Sequence, residues 1–313
     1  MTWLSQKKQL TILITGCSSG IGLALAEYFY SKTNHRIVAT CRINSLNTLK
    51  THFQESDRFM IRELDVTNDE NREHLIAEIL RKWKRIDTLI NNAGLAYRSV
   101  IEHMDDESEL HQLNTNYLGP LALTRLVFPS MRERGHGHII NVSSVSGIMA
   151  MPTMASYSAS KHALEGASEA LWYESKPFGI SVSIVQLGFV NSNSFERVYF
   201  SKKAEISNNL EGPFSDYYQN MGPFIRRLMN LSPSTPHKIA RRIAKLVEAK
   251  NPPLWVPATA DAFVFYWFRK LMPRKLFHQI MFMLLPGSHR LGTRFKSKPK
   301  TLSQQNSRLP LRL

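Results

Sequence analysis

Cysteine is nearly absent: Cys17 and Cys41 are the two in 313 residues. Such a pair cannot staple a small secreted scaffold, and its spacing is not that of a structural zinc site, so a reducing, intracellular address is expected. Glycine and proline are not abundant, fifteen of each, which excludes collagen-like and low-complexity architectures. No long apolar run opens the chain. Residues 1–10 carry Lys7 and Lys8 instead, and neither a secretory leader nor a first membrane span is expected there. What is present is 43% apolar and 10% aromatic residue types, too much for a wholly disordered chain. The length allows one large domain or two small ones, enough to bury a sizeable core.

Acids are scarce in one region above all. Residues 261–313 hold eleven Lys and Arg against Asp261 alone, a net +10 of the chain's +15. A basic end on a nearly balanced body suggests contact with an anionic surface and says little about the chemistry of the body.

Apolar runs at 10–15, 37–40, 59–64, 88–90, 138–142, 182–187 and 254–256 read as strands. Helical spacing appears at 21–30, 46–53, 71–83, 110–132, 156–174 and 237–248. The alternation means βαβ units and a parallel sheet, an α/β doubly wound, Rossmann-like fold. After Val190 the pattern breaks up, and 191–236, rich in Ser, Asn, Pro and aromatics, reads as a substrate-covering insert. The expected organisation is a domain over 8–258 that includes this insert, an aromatic and basic helical extension over 259–288, and a basic, disordered tail over 289–313.

Thr15, Gly16, Ser18, Ser19, Gly20, Ile21 and Gly22 lie between the first strand and the first helix. Glycines there let the backbone approach a pyrophosphate, whose charge the amides and dipole of the helix end favour by up to about 2 kcal/mol. The spacing, Gly-x-x-x-Gly-x-Gly, differs from the commonest dinucleotide fingerprint, and a tight turn without a ligand is the alternative. The second strand ends without the acid that would hold the ribose hydroxyl of NAD. Arg42 lies just beyond it, where a guanidinium suits a 2′-phosphate. NADP(H) is therefore favoured over NAD(H), against Arg42 being a solvated loop charge.

The catalytic candidates are Ser144, Tyr157 and Lys161. A phenol working near pH 7 needs its pKa lowered by about three units, roughly 4 kcal/mol. One ammonium about 4 Å away contributes about that much at an effective dielectric of 20. Lys161 follows Tyr157 by one helical turn and shares its face. Ser144 would orient the substrate oxygen while Tyr157 moves the proton. Tyr-x-x-x-Lys, however, occurs four times, at Tyr28, Tyr157, Tyr199 and Tyr266. Only the second follows a strand ending in a serine-rich turn.

Taken together and in order, these motifs resemble the short-chain dehydrogenase/reductase family over residues 11–256. The resemblance implies that Asp65 and Val66 contact the adenine, and that Asn92, Ala93 and Gly94 lie beside the adenosine ribose. It implies that Asn116 supports a water-linked proton relay and that Lys161 also binds the nicotinamide ribose. Ser144 stands thirteen residues before Tyr157, as the family's serine does. Gly188, Val190 and Ser192 match the segment that positions nicotinamide, although Leu187 stands where proline is frequent.

Within the family the turn sequence and extended carboxyl end are similar to the hydroxysteroid and retinol dehydrogenase group. That implies an apolar alcohol or carbonyl substrate, steroid-, retinoid- or lipid-like. Phe195, Tyr199, Phe200, Phe214, Tyr217, Tyr218 and Phe224 suit an apolar pocket or an ordinary lid core equally. The aromatic and basic runs within 262–313 are each too short to span a bilayer core of about 30 Å. They fit peripheral contact with an anionic membrane or packing over the pocket or a subunit. The remaining expectations are a cytoplasmic homo-oligomer, no specific nucleic-acid partner and no metal, with His136, His138 and His162 solvent-facing or structural. A catalytically silent NADP-binding regulator or scaffold is the competing function.

Overall fold

The computed structural model describes residues 9–192, 197–209, 212–288 and 291. Among these, seven strands form one parallel sheet: β1 (Thr11–Ile14), β2 (Arg36–Cys41), β3 (Phe59–Glu63), β4 (Thr88–Asn91), β5 (Gly137–Ser144), β6 (Ile180–Leu187) and β7 (Trp255–Pro257). Their order is β3-β2-β1-β4-β5-β6-β7, the doubly wound arrangement that the alternating pattern predicts. The helices on its two faces are α1 (Gly20–Lys32), α2 (Ile43–His52), α3 (Asp69–Trp83), α4 (Asp106–Leu113), α5 (Gly119–Glu133), α6 (Ala155–Ser175) and α9 (Pro236–Val247). Beyond the sheet proper lie α7 (Lys202–Asn209), α8 (Ser215–Leu231), α10 (Ala260–Leu271) and α11 (Arg274–Met283).

Both faces of the sheet are covered, so its central strands are buried along most of their length, and the two-residue period decides which core each side chain joins. Ile12 and Ile14 enter the core with Leu25 and Phe29 of α1, Leu49 of α2 and Ile243 of α9. Leu13, between them, joins the opposite core with Ile79 of α3 and Leu123 and Met131 of α5. The strand order reverses between β1 and β4. A crevice therefore opens at their carboxyl ends, where open α/β sheets bind ligands.

Two stretches depart from the sequence reading. The periodic segment 110–132 is not one helix: α4 and α5 are joined by a π-helical turn over Asn114–Leu118. The wider turn carries one more residue than an α-turn, and apolar spacing alone does not register such an insertion. The unpatterned insert holds α7 and α8. Their apolar faces make small satellite clusters, one of Val100, Ala204 and Tyr218 with Phe200, Phe214 and Tyr217, the other of Met221, Ile225 and Met229 with Phe189, Phe224 and Leu285. In these clusters the aromatics of the insert pack on one another and on Val100, Phe189 and Leu285. Tyr218 ties α8 to the segment after β4, its hydroxyl accepting from the Val100 amide at 3.1 Å and meeting His103 Nδ1 at 3.0 Å. Phe195 lies outside the described residues, as does the basic tail apart from residue 291.

Candidate active site

The turn after β1 is packed against the end of β4. Gly16 has φ +73°, and a Cβ there would lie 2.8 Å from Ala93 Cα; only glycine allows both the turn and the approach. Thr15 Oγ1 accepts from the amides of Asn92 at 3.0 Å and Ala93 at 2.9 Å. Asn92 Nδ2 returns bonds to the carbonyls of Thr15 at 2.9 Å and Gly16 at 3.1 Å. The turn and residues 92–94 are thus one braced unit. At its far end α1 begins with Gly20; Ser19 precedes it without a side-chain capping bond, and no acid stands in the first turn. The partial positive charge of that helix end is left uncompensated, with Ser18 and Ile21 half-buried beside it. These features fit a dinucleotide pyrophosphate.

The Cys17 amide donates to the Thr40 carbonyl at 2.7 Å, so the turn is also fastened to the end of β2. Two residues on, Arg42 is the exposed N-cap of α2. Past β3, one oxygen of the Asp65 carboxylate accepts from the Thr67 amide at 2.9 Å and hydroxyl at 2.7 Å. Val66 is buried, and its carbonyl accepts from Arg72 at 2.6 Å.

Ser144, Tyr157, Lys161 and Asn116 gather at the carboxyl ends of β4 and β5. Ser144 ends β5; its Oγ accepts from the Ser146 amide at 3.1 Å and is hydrogen-bonded to the Tyr157 hydroxyl. Lys161 Nζ lies 5.9 Å from the centre of the Tyr157 ring and donates to the Val142 carbonyl at 3.0 Å. Asn116, in the π-helical turn, accepts from the Leu95 amide at 2.9 Å and donates to the Leu95 carbonyl at 2.8 Å. It also donates to Ser160 Oγ at 3.0 Å, which in turn donates to the Tyr157 carbonyl at 2.7 Å. Gly94 faces this group: a Cβ there would be 3.2 Å from Asn116 Oδ1 and 3.8 Å from Lys161 Nζ. Lys270 also lies 5.9 Å from its tyrosine, Tyr266. Burial separates the pairs, since Lys161 is buried and Lys270 exposed.

The electrostatics correct the expectation that Lys161 lowers the phenol. Burial raises the Tyr157 pKa above its ordinary value, opposed by the hydrogen bond with Ser144. Lys161 is itself pushed down to about 8 by burial, with Glu165 opposing the shift. Desolvation is the largest cause for both groups, and one N–H of the ammonium is engaged by the Val142 carbonyl.

Sequence reasoning missed several supporting residues. Glu165, 4% exposed, accepts from Ser143 Oγ at 2.6 Å and from Gln186 Nε2 at 3.1 and 3.2 Å. Burial pushes its pKa up to about 7 despite these bonds and the nearby Lys161. Its position four residues after Lys161 was a usable signal. Beyond β6, the Gly188 amide donates to Thr259 Oγ1 at 2.9 Å and the Phe189 amide to Asp261 Oδ2 at 2.7 Å, so the start of α10 braces the loop that carries the buried Val190. Ser192 Oγ donates to the Val190 carbonyl at 3.4 Å. No local pattern announces that brace. His138 is buried on Ser183 Oγ at 3.0 Å, and burial pushes its pKa down to about 3, a structural role. Among the described residues, no three metal-binding side chains lie together.

Known proteins resemble this chain in sequence and in fold. The short chain dehydrogenase family model matches residues 10–202. The chain is 37% identical over 247 residues to a 3-ketodihydrosphingosine reductase of Bacteroides thetaiotaomicron, covering 77% of this chain and 85% of that one. It is 33% identical over 257 residues to retinol dehydrogenase 8 of Bos taurus, covering 78% and 80%. A solved short-chain dehydrogenase from Streptomyces avermitilis superposes with a TM-score of 0.72 at 32% identity, over 87% of this chain and 96% of that one.

Proposed function

Because this chain belongs to the short-chain dehydrogenase/reductase family, whose members are NAD(P)-dependent oxidoreductases that interconvert alcohols and carbonyls, we propose that it uses NADP(H) on an apolar substrate, lipid-, steroid- or retinoid-like. The convergence of Ser144, Tyr157, Lys161 and Asn116 beside the braced glycine turn carries this reading. Residues 15–22 would hold the pyrophosphate, Asp65 and Val66 the adenine, Asn92, Ala93 and Gly94 the adenosine ribose, and Gly188, Val190 and Ser192 the nicotinamide. Arg42, exposed at the end of β2 with no acid among residues 36–42, supports NADP(H) through a charge-assisted bond to the 2′-phosphate.

When bound, the nicotinamide supplies or accepts the hydride. Ser144 Oγ holds the substrate oxygen and Tyr157 exchanges a proton with it. Lys161 would hold the nicotinamide ribose, and Asn116 would support a water that replenishes the tyrosine's proton. The phenol of Tyr157, its pKa raised by burial, is protonated at neutral pH, the form that can donate to a carbonyl oxygen.

The apolar substrate class is supported by the chain's likeness to a reductase named for 3-ketodihydrosphingosine and to a retinol dehydrogenase, and so is membership of the hydroxysteroid and retinol group. Such molecules partition into bilayers, so a peripheral enzyme on the cytoplasmic face of a membrane would meet its substrate there, with residues 262–313 as the contact. The test is a screen of apolar ketones and alcohols with NADPH, NADP, NADH and NAD, followed by nicotinamide absorbance. Tyr157→Phe should lose roughly 10²- to 10⁴-fold in turnover while still binding coenzyme. A panel without any substrate-dependent absorbance change would remove the proposal.

A further inference from the structure

Eight of the seventeen large apolar side chains that stand exposed among the described residues lie between Phe263 and Leu284, on α10, α11 and the residue after them. On α10 they form one stripe. Phe263, Trp267 and Leu271 recur every four residues, with Val264 beside them; Val264 is 61% and Leu271 75% exposed. The other side of the hairpin is anchored: Ala262 and Phe277 are buried, and the Phe268 and Phe277 rings meet at 5.4 Å. The outward apolar face is therefore not an unpacked helix. It belongs to a helix pair that is held in place and still leaves this side uncovered.

The charge around this face has one sign. Lys270, Arg274 and Lys275 are exposed on the same helix pair. Lys270 Nζ sits 5.2 Å from the Trp267 ring, and Arg269 turns inward to the Ile148 carbonyl at 3.3 Å. The one acid of the segment, Asp261, is committed to the Phe189 amide. A groove of about 600 Å³ at the root of the hairpin is lined by Arg269, Lys270, Arg274 and His162. The sequence beyond adds seven cations and no acid.

We propose that the α10–α11 hairpin is a docking surface for an anionic lipid bilayer, with Phe263, Val264, Trp267 and Leu271 entering the headgroup region and Lys270, Arg274 and Lys275 meeting lipid phosphates. This rests on the apolar-substrate reading for its purpose, but not for its evidence. The helices rise only about 18 and 15 Å, and no described helix is long and apolar enough to cross a membrane, so the hairpin lies in the interface. A second copy of the chain fits poorly: a two-fold contact through this face would set its cations against their own copies. Nucleic acid offers nothing to Val264 or Leu271. The hairpin is also bonded to the segments that follow β6 and β5, through Asp261 on the Phe189 amide and Arg269 on the Ile148 carbonyl, so a bilayer held there is held near the proposed site.

The experiment uses the full chain and sedimentation with phosphatidylcholine vesicles, with and without phosphatidylserine, at low and high salt. Binding is expected on the anionic vesicles and should weaken about tenfold or more without phosphatidylserine, given about 1 kcal/mol for each basic residue at the surface. Val264→Glu combined with Leu271→Glu should abolish it. Lys270→Glu combined with Lys275→Glu should erase the preference for phosphatidylserine. Both pairs are exposed, and unchanged circular dichroism will verify that each variant folds. NADPH oxidation with a water-soluble ketone, read in the same samples, should be unaffected. Wild-type protein left in the supernatant at low salt would overturn the proposal. So would a wild-type dimer that the Val264→Glu/Leu271→Glu variant dissociates. Vesicle binding without any coenzyme oxidation would leave the docking surface standing and remove the enzymatic reading instead.

Discussion

The Lys161 ammonium is held by the Val142 carbonyl at 3.0 Å, so the cation beside the candidate catalytic tyrosine hangs from β5 and not from the phenol. Its charge is influenced from within its own helix. Glu165, one turn further along α6, raises a lysine pKa that burial has lowered to about 8. Glu165 in turn faces Ser143 of β5, Gln186 of β6, and Lys161 and Glu169 of α6.

Removing that carboxyl has a signed consequence. In Glu165→Gln the Lys161 pKa falls further below 8, so the ammonium is lost at lower pH. The alkaline limb of the kcat profile should move down by about one pH unit, equivalent to roughly 1.4 kcal/mol. Glu165→Asp should return it part of the way. A purely structural role would lower kcat at every pH without moving the limb, and that pattern would refute the coupling.

The proposed preference for NADP(H) rests on Arg42. Arg42→Leu should reduce kcat/KM for NADPH about 10- to 100-fold, the worth of a charge-assisted hydrogen bond of about 1.5–3 kcal/mol, and leave NADH little changed. An unchanged ratio between the two coenzymes would mean that Arg42 is a solvated charge.

Two glycines of the same turn should respond differently to alanine. Gly20 has φ +58° with nothing within 4 Å of its missing Cβ, so Gly20→Ala should cost about 1 kcal/mol of stability from the left-handed backbone alone. Gly16→Ala meets the Ala93 backbone at 2.8 Å as well. It should cost about 2–3 kcal/mol or more and weaken coenzyme binding. Denaturant midpoints of the two variants give the comparison, and equal losses would contradict it.

His138 makes the fold sensitive to acid. Its folded pKa is depressed to about 3 from 6.5, so the unfolded chain takes up a proton first as the pH falls. Stability is lost progressively from about 6.5 towards 3, with an upper bound of about 5 kcal/mol. His138→Gln should flatten that loss in denaturant titrations at stepped pH. Glu165, with its raised pKa of about 7, acts in the opposite direction below 7, but it is present in both chains and cancels in the difference. Parallel curves for the two proteins would show that His138 does not contribute.

Features written within one turn of chain were legible without a structure. The glycine turn at 15–22, the absence of an acid before Arg42 and the Tyr157–Lys161 spacing are relations between near neighbours, and the alternation of strand and helix follows from short-range periodicity. The same rules admit four Tyr-x-x-x-Lys pairs, and two of them share a 5.9 Å separation. What singles out Lys161 is burial, which the sheet order and the covering helices confer. The Glu165 network, the brace from Asp261 to Phe189 and the π-helical turn that turns Asn116 inward likewise depend on groups 21 to 72 residues apart. Desolvation even reversed the expected sign at Tyr157. Local chemistry in the sequence therefore nominated the reacting groups, whereas their dielectric surroundings and neighbours, which set the direction of each pKa shift, came into being only when distant segments packed together.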